Sequence, residues 1–266
     1  MSLRVYAAAA STVPRVDAAS VMEVLVEAAD SVRAALDQLA DWGLAGTKPG
    51  QYRSDIAADE AALAVLTASG MAVLSEESGR TGEAASGLVA VIDPVDGSTN
   101  AARGIPWFAT SICVVDSDGP WVALVVNQAS GRRYEAIRGQ GALRDGEPVE
   151  ASGQTALDRS VIALSGYPPR YLGWRQYRAL GAAALDLCAV ADGTLDAYVD
   201  CGLSGHGVWD YLGGLLVCTE AGATIADAGG RELLVMEHAE RRAPVAASTS
   251  ELLESLLAAR RLAFGE

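Results

Sequence analysis

A short apolar segment that runs directly into a polar turn is the most constraining feature of this sequence. Residues 88–92 read LVAVI, and the string DPVDGSTN follows them without a linker. An apolar run of this length, bounded by turn residues, predicts a buried strand, and Pro94 makes the turn after it rigid. The spacing of Asp93 and Asp96 can bring both carboxylates toward one point. Gly97 and the three polar residues after it are typical of a helix start, where free N–H groups can bind an anion. An isolated D-x-x-D is usually an ordinary capped turn, so it is the complete string that indicates a functional site.

The charge balance limits the possible partners. The chain has 20 basic and 34 acidic residues, a net charge of −14, and two histidines. Such a chain is a poor nucleic-acid binder, because that binding depends on Lys and Arg at the phosphates. An anionic substrate would need a local positive centre, for which a bound metal is the obvious source. With so few histidines, carboxylates are the expected ligands, and they favour Mg²⁺.

The four cysteines form no C-x-x-C pair and lie in apolar surroundings: Cys113, Cys188, Cys201 and Cys218. We expect buried free thiols at these positions. No run of 18 apolar residues is uninterrupted, so no membrane-spanning helix and no membrane partner are predicted. The apolar patch at residues 5–10 is short for a secretory signal, which makes the cytoplasm the expected location.

Hydrophobic periodicity predicts a mixed α/β (α+β) chain. Helices are expected at residues 17–44, 55–69, 179–192, 208–220 and 251–262, and strands at 71–74, 88–92, 109–115, 121–127, 133–137, 160–164, 195–199, 224–226 and 243–248. Strands suited to antiparallel pairing come first, and strand–helix units follow. We therefore expect two parts, residues 1–150 and 151–266, that form one compact layered unit with a site where they meet.

Two further acidic positions are ambiguous when taken alone. Glu76 and Glu77 end a short predicted strand, and such a pair is usually solvated. Asp210 follows Trp209 at the start of an apolar helix, where an N-terminal cap is the simplest interpretation. Their combination with the DPVDGSTN string instead favours a functional role for both acidic positions.

Three motifs in order give the chain a resemblance to a known family. They are SEES at residues 75–78, DPVDGSTN at 93–100, and VWD at 208–210 followed by TEAG at 219–222. Together they resemble the inositol monophosphatases and related Mg²⁺-dependent, lithium-sensitive phosphatases, over nearly the whole chain from Lys48 to the last helix. The resemblance implies a layered α-β-α-β-α sandwich of the inositol monophosphatase and fructose-1,6-bisphosphatase type. It also implies a homodimer that hydrolyses a small phosphate monoester with two or three Mg²⁺ per active site.

The same resemblance implies roles for individual residues. The implied metal ligands are Glu76, Asp93, the backbone carbonyl of Val95, Asp96 and Asp210. Backbone N–H groups of Gly97 and Ser98 match those that hold the phosphate. The Ser98 hydroxyl stands where the family has a threonine that, with the glutamate at Glu76, orients the attacking water. Glu76, Asp93 and Ser98 are thus the implied catalytic residues, and Lys48, Asp59 and Glu77 are implied accessory positions.

The part of the chain that would contact the alcohol departs most from the family pattern. Gly181, Ala182 and Ala183 match a helix N-terminus near the alcohol, and Asp200 matches a glutamate that binds substrate hydroxyls. Asp200 is one methylene shorter, residues 204–207 lengthen the stretch before Trp209, and the connection from 165 to 181 is short. His206 lies in the lengthened stretch. A loop histidine that faces solvent is the favoured expectation for it, and a side chain that points into the pocket is the alternative.

Several functions remain open at this stage. A small sugar-alcohol phosphate such as inositol monophosphate is the leading substrate, and histidinol phosphate, fructose 1,6-bisphosphate, NADP and 3′-phosphoadenosine 5′-phosphate are alternatives. A second phosphate would need basic residues, and only Arg170, Arg175 and Arg178 cluster near the expected pocket. A noncatalytic regulatory module, such as one associated with RNA polymerase, is the alternative from another class. All four carboxylates are present, which favours an enzyme, and no nucleophile–histidine arrangement supports acyl hydrolysis.

Overall fold

The computed structural model describes residues 17–202 and 204–265, and the apolar patch at residues 5–10 lies outside them. The α-helices are α1 (Ala18–Asp37), α2 (Arg53–Ala68), α3 (Ser98–Ala102), α4 (Ala183–Ala191), α5 (Val208–Glu220) and α6 (Ser250–Phe264). The strands are β1 (Ala72–Ser75), β2 (Gly79–Thr81), β3 (Val89–Asp96), β4 (Ala109–Asp116), β5 (Gly119–Asn127), β6 (Arg133–Ile137), β7 (Gly141–Arg144), β8 (Glu147–Pro148), β9 (Val161–Gly166), β10 (Gln176–Arg178), β11 (Ala197–Cys201), β12 (Thr224–Asp227) and β13 (Pro244–Ala247). One 3₁₀ turn, Leu157–Arg159, precedes β9.

The first sheet has the strand order β2-β1-β3-β4-β5-β6-β7-β8. Strands β1 and β3 run parallel, and every other neighbouring pair in this sheet is antiparallel. Side chains alternate between its two faces, as a strand period of two requires. On β4, Ile112 and Val114 pack with α1 and α2, whereas Cys113 and Val115 pack with α4 and α5.

The second sheet has the order β10-β9-β11-β13-β12, and its strands β10, β9 and β11 run parallel. Ala163 and Tyr198 face α4 and α5, and Ile162 and Val199 face α6. The layers are therefore α1 and α2, the first sheet, α4 and α5, the second sheet, and α6. This arrangement confirms the predicted α-β-α-β-α sandwich.

Helix α5 packs against the first sheet through a glycine. A Cβ placed on Gly213 would be 2.6 Å from Ser111 Oγ and 3.1 Å from Val125 Cγ2. These distances leave no room for a side chain, so glycine at this position sets how closely the helix approaches β4 and β5. Asp210 lies one turn before Gly213 on the same helix, so this contact helps to place it relative to the sheet.

Several predicted boundaries were wrong. Helix α1 ends at Asp37 and not at residue 44, because Leu44 instead forms an antiparallel bridge with Tyr52. Helix α4 starts at Ala183 and not at residue 179, because Gly181 takes a positive φ of 86° that a helix cannot contain. The short strands β2, β7, β8 and β10 were not predicted. The four cysteines are buried free thiols, as expected, and no helix among the described residues is long and apolar enough to cross a bilayer.

Candidate active site

Strand β3 carries two carboxylates to the edge of the first sheet. Asp93 and Asp96 are both buried, and the pairing of β3 with β4 shifts register between them. The backbone N–H of Val95 donates to Asp93 Oδ1 at 3.0 Å, and Thr110 Oγ1 donates to the carbonyl of Pro94 at 2.9 Å. These two hydrogen bonds hold the irregular segment between Asp93 and Asp96 in one conformation. Bulges of this kind are common beside functional sites.

Three carboxylates from different elements meet at this edge. Oxygen atoms of Glu76, Asp93 and Asp210 all lie within 4.8 Å of one another. Glu76 directly follows β1, and its N–H donates to the carbonyl of Ile92 at 3.2 Å, which continues the pairing of β1 with β3 by one residue. Asp210 lies in the first turn of α5. The structure thus brings together residues that are 134 positions apart between Glu76 and Asp210.

Burial and mutual repulsion make this cluster costly in its ionised form. Burial, and then the charges of Asp210 and Glu77, raise the pKa of Glu76 to about 8. Burial and the Asp210 charge raise the pKa of Asp96 to about 7, and burial with the Glu76 charge holds the pKa of Asp93 well above its usual range. Buried charges persist only when they are paired or bind metal. A set of carboxylate oxygens with no soft ligand fits Mg²⁺ or a similar hard divalent cation.

Asp96 joins the end of β3 to the start of α4. Its Oδ2 accepts a hydrogen bond of 2.7 Å from the backbone N–H of Ala184, in the first turn of α4. The structure therefore places the start of α4, with Ala182 and Ala183, beside the DPVDGSTN turn. Whether these two alanines contact an alcohol stays a prediction.

Gly97 needs the backbone that only glycine adopts easily. Its φ is 85°, in the left-handed region, and a Cβ there would lie 3.0 Å from the carbonyl oxygen of Gly181 and 3.1 Å from that of Trp107. Asn100 fixes the same contact, since its Nδ2 donates to the carbonyls of Trp107 at 2.8 Å and Leu180 at 2.7 Å. Gly97 and Ser98 at the start of α3 are thereby held against residues 180–182.

Asp55 is a site residue that the sequence interpretation missed. It is buried, and burial raises its pKa to about 6, while the neighbouring Ser98 side chain lowers that pKa. Its Oδ2 also accepts from the N–H of Tyr52 at 2.8 Å, as a helix cap does. An aspartate in the first turn of a helix is ordinarily a cap, so the sequence carried no signal of the second role.

Asp59, the accessory aspartate implied by resemblance, lies one turn further along α2. Its Oδ1 accepts hydrogen bonds from Ser75 Oγ and from Ser78 Oγ, the latter at 3.4 Å. Asp59 therefore holds the end of β1 by hydrogen bonds to two serines. Asp55, and not Asp59, is the aspartate of this helix beside Ser98.

The predicted accessory residues Lys48 and Glu77 contact each other at the rim of the cluster. Lys48 Nζ donates to the backbone carbonyl of Glu77 at 2.6 Å, and the Glu77 carboxylate accepts from Gln51 Nε2. These contacts hold the loop before α2 beside the carboxylates.

His206 points into the site, contrary to the expectation of a solvent-facing residue. Its Nδ1 is 3.1 Å from Asp210 Oδ2, and its Nε2 is 3.0 Å from the Tyr198 hydroxyl and 3.1 Å from Ser165 Oγ. Burial alone would lower the pKa of His206, but the hydrogen bond and charge of Asp210 and the charge of Asp200 raise it to about 9. The lengthened stretch at 204–207 therefore supplies a buried partner to a carboxylate of the cluster.

The structure places Asp200 beneath His206. Asp200 is 1% exposed, its Oδ1 accepts from the N–H of Gly202 at 2.7 Å, and His206 Nε2 is 3.8 Å from that oxygen. His206 lies between Asp200 and the carboxylate cluster, so the structure suits a support of His206 as the role of Asp200. Direct contact of Asp200 with substrate hydroxyls stays a prediction.

A second histidine approaches the cluster from the other side. His238 Nε2 is 3.1 Å from the backbone carbonyl of Glu76, and its ring lies 4.6 Å from that of Trp209. The guanidinium of Arg241 covers the same indole at 5.1 Å. No motif in the sequence indicated His238, since it is brought to the site only by the fold.

Comparison with known proteins agrees with this geometry. Residues 18–263 match the model of the inositol monophosphatase family. A protein from Archaeoglobus fulgidus named fructose-1,6-bisphosphatase/inositol-1-monophosphatase is 31% identical over 227 residues, which cover 82% of this chain and 88% of that one. A protein from Pasteurella multocida named Nus factor SuhB is 31% identical and covers 71% of this chain and 76% of that one.

Solved structures give the same result. A structure described as an inositol monophosphatase–fructose 1,6-bisphosphatase superimposes with a TM-score of 0.78 at 27% identity, over 90% of this chain and 98% of that one. The layered sandwich is thus the fold of the inositol monophosphatases. The chain belongs to the inositol monophosphatase family.

Proposed function

We propose that the protein is an Mg²⁺-dependent phosphomonoesterase for a small sugar-alcohol phosphate, with inositol monophosphate as the first candidate. The observation that carries the proposal is the convergence of Glu76, Asp93 and Asp210 within 4.8 Å, beside the backbone turn at Gly97. Asp96 completes the acidic set from the same turn. The negatively charged cluster can bind cations, and the backbone N–H groups at the start of α3 can bind a phosphate. The arrangement therefore suits a reaction in which cations and a phosphate share one site.

Two or three Mg²⁺ would be held by the side chains of Glu76, Asp93, Asp96 and Asp210 and the carbonyl of Val95. When bound, Mg²⁺ supplies positive charge that polarises the phosphate and makes water more acidic. The four carboxylates provide the matching negative charge, and burial keeps competing water away from them.

The chain's own groups account for phosphate binding and for the orientation of water. The backbone N–H groups of Gly97 and Ser98 open α3 and can donate to phosphate oxygens. The Ser98 hydroxyl neighbours Asp55, whose pKa of about 6 leaves it ionised at neutral pH and able to accept a proton. With its proton directed to Asp55, the Ser98 oxygen can accept a hydrogen bond from a water molecule and orient it, with Glu76 on the other side.

His206 contributes by fixing Asp210. Oδ2 of Asp210 contacts His206 Nδ1 at 3.1 Å and accepts from the N–H of Gly207 at 2.8 Å. Two partners on one oxygen hold the carboxylate in a single rotamer, and such partners are known to tune ligand strength. The remaining oxygen, Oδ1, is left for a cation.

The names of relatives leave the substrate open between inositol monophosphate and fructose 1,6-bisphosphate, since the Archaeoglobus fulgidus protein carries both activities in its name. Histidinol phosphate, NADP and 3′-phosphoadenosine 5′-phosphate stay as further candidates. A noncatalytic role has one specific support, the relative named as a Nus factor. The complete carboxylate set favours the enzyme. The proposal also includes a homodimer of two-part protomers (residues 1–150 and 151–266), sensitivity to Li⁺ and a cytoplasmic location, without nucleic-acid or membrane partners.

Release of inorganic phosphate from a panel of monoesters, with and without Mg²⁺, tests the proposal. We expect Mg²⁺-dependent turnover of at least one polyol phosphate, and no turnover in EDTA. Asp118→Asn, in an exposed turn, serves as a matched control that should retain full activity. Absence of phosphate release from every ester at saturating Mg²⁺, in a folded protein, would contradict the proposal and favour the noncatalytic alternative.

A further inference from the structure

A short segment that precedes β13, residues 238–242, contacts both sides of the carboxylate cluster. It consists of a turn and one isolated bridge residue, so regular secondary structure does not fix its position. His238 is 162 positions from Glu76 in the chain, and the fold brings the two together. No step of the proposed reaction uses this part of the chain, which we call the 238–242 segment.

The first contact of the segment is with the backbone of a predicted metal ligand. His238 Nε2 is 3.1 Å from the carbonyl oxygen of Glu76, and because a carbonyl can only accept, Nε2 carries a proton and donates. The N–H of Glu76 donates to the carbonyl of Ile92 on the other side. The register of β1 with β3 ends one residue earlier, at Ser75. The imidazole of His238 therefore restrains the Glu76 backbone where the sheet no longer continues.

The second contact is with Trp209, the residue before Asp210. The imidazole of His238 lies 4.6 Å from the indole with 34° between the ring planes, and the guanidinium carbon of Arg241 is 5.1 Å from the same indole. Arg241 Nη1 also donates to the carbonyl of His238 at 2.7 Å, so the guanidinium fixes the backbone that carries the imidazole. Tryptophan is the best aromatic partner for a cation. The segment thus holds a ring that is only 2% exposed.

The indole in turn packs against a partner of Asp210. A Cβ on Gly207 would overlap the ring of Trp209, so the indole lies directly against the backbone at this glycine. The N–H of Gly207 donates to Asp210 Oδ2 at 2.8 Å. Because a close-packed interior transmits displacements, a shift of the indole would move the donor that holds the Asp210 carboxylate.

The end of the segment pairs with the backbone of His206. The N–H of His206 donates to the carbonyl of Arg242 at 2.7 Å, and the N–H of Arg242 donates back to the carbonyl of His206 at 2.9 Å. Arg242 is buried, and its Nε donates to the carbonyl of Glu232 at 2.7 Å. Since His206 contacts Asp210, the segment reaches Asp210 by two routes and Glu76 by one.

We propose that the 238–242 segment sets the separation of Glu76 and Asp210, with His238 as its positioning residue. Glu76 follows a strand of the first sheet, whereas Asp210 lies on α5, and the segment is a third element that contacts the surroundings of both. Mg²⁺ demands near-ideal geometry from its ligands, so its affinity depends on how well two such carboxylates are held. The role of His238 rests on the proposed function in so far as Mg²⁺ binds to this cluster.

Calorimetric titration of Mg²⁺ into the metal-free full chain, without substrate, tests the proposal. His238→Ala should weaken Mg²⁺ binding about three- to tenfold, because one hydrogen bond from an exposed side chain is lost. His238→Gln should bind within about twofold of wild type, since its amide can reach and donate to the same carbonyl. The amide of His238→Asn is one methylene shorter, so this variant should behave like His238→Ala. Melting curves in EDTA show whether each variant is folded.

A double-mutant cycle tests whether His238 and Arg241 act together. Arg241→Leu also removes a positive charge, so its own effect on Mg²⁺ affinity has no fixed sign. The informative quantity is the effect of His238→Ala in the Arg241→Leu background, which should shrink to less than about twofold, because the imidazole has already lost its support. Arg261→Leu removes the same charge from an exposed position on α6, and it should leave the effect of His238→Ala unchanged.

Activity separates positioning from a merely structural role. For an ester that the wild type hydrolyses, His238→Ala should raise the Mg²⁺ concentration at half-maximal rate about three- to tenfold and leave kcat at saturating Mg²⁺ within about twofold. A structural defect would instead lower kcat or the Tm in EDTA and leave the affinity for Mg²⁺ as in wild type.

The proposal is overturned if His238→Ala binds Mg²⁺ like wild type, or if His238→Gln recovers no more affinity than His238→Asn. Additive effects of His238→Ala and Arg241→Leu would also overturn it, because the segment would then not act as a unit. Failure of the wild type itself to bind Mg²⁺ would remove the proposed function, whereas wild-type binding that no variant alters would remove the role of His238 alone.

Discussion

Binding of Mg²⁺ to the carboxylate cluster should expel protons, in a number that falls as pH rises. The pKa of Glu76 is about 8 and that of Asp96 about 7, because both are buried near other carboxylates. From these values, the two groups together hold about two protons at pH 6 and about 0.1 at pH 9. A cation binds the ionised form, so these protons must leave on binding. Between pH 6 and 7 the apparent affinity for Mg²⁺ should rise by well over tenfold.

Calorimetry in buffers of different ionisation enthalpy counts the released protons. We expect at least about two at pH 6 from wild type, to which any proton on Asp93 adds because its pKa is also raised, and about one fewer from Glu76→Gln, in which one titrating group is gone. Asp118→Asn, on an exposed turn, should release as many protons as wild type. Release of fewer than about one proton by wild type at pH 6 would refute the reasoning, since the carboxylates would then be ionised without a cation.

The same shift affects stability, and its sign is opposite to that of an ordinary ion pair. The pKa of Glu76 is higher in the folded than in the unfolded protein, where it is near 4.5. The metal-free protein should therefore be fully stabilised by this group below about pH 4.5 and lose that stability as pH rises through about 8. The increase in Tm on addition of Mg²⁺ should accordingly be larger at pH 8 than at pH 6, which a pair of melting curves decides.

Four substitutions test other parts of the site. Asp93→Asn should fold and retain less than about a tenth of the phosphatase activity, because a charge shared by cations is lost; greater activity would remove Asp93 from the ligand set. Gly97→Ala should lower Tm by several degrees and weaken phosphate binding, since a left-handed residue costs about 1–2 kcal/mol before any clash; an unchanged Tm would contradict the close contact with residue 181. His206→Gln should weaken Mg²⁺ binding by about 10–100-fold with the fold retained, as loss of a ligand's partner commonly does; unchanged Mg²⁺ affinity would show that Asp210 needs no such partner. Asp200→Asn should change kcat/KM by the same factor for a polyol phosphate and for nitrophenyl phosphate, because it lies beneath His206; a selective loss on the polyol would show a direct contact.

The sequence was most informative where a local pattern and the chemistry coincide. The apolar run before Asp93 predicted the buried strand, because such a strand must be apolar, but the expected end at residue 92 was wrong. Strand β3 continues to Asp96, and the irregularity that carries the two aspartates lies within it. The apolar periods predicted layers of helices and strands, whereas the α-β-α-β-α order was implied by the resemblance to the family. The cluster of Glu76 and Asp93 with Asp210 needed the resemblance to the family, since spacing alone cannot bring together residues so far apart in the chain.

Sequence reasoning failed where a residue has two roles or depends on contacts distant in sequence. Asp55 caps a helix, and nothing local reveals that the same carboxylate lies beside Ser98. His206 lies in a glycine-rich loop that would ordinarily be solvated, and only the positions of Tyr198 and Ser165 on neighbouring strands enclose it. The start of α4 was misplaced because Gly181 is bound to the turn at Gly97, a tertiary constraint that periodicity does not contain.

The contact of α5 with the first sheet at Gly213 links the packing of the core to the concentration of Mg²⁺ that the protein needs. Asp210 is carried by α5, whereas Glu76 directly follows β1 and Asp93 lies within β3, so the spacing of the ligands depends on a packing contact between helix and sheet that contains no ligand. A substitution that disturbs this packing would first weaken the affinity for Mg²⁺, at a perturbation too small to unfold the chain. Supplementation with the ion would then rescue a packing defect, and a variant that looks like a metal-site mutant could lie wholly in the hydrophobic interior.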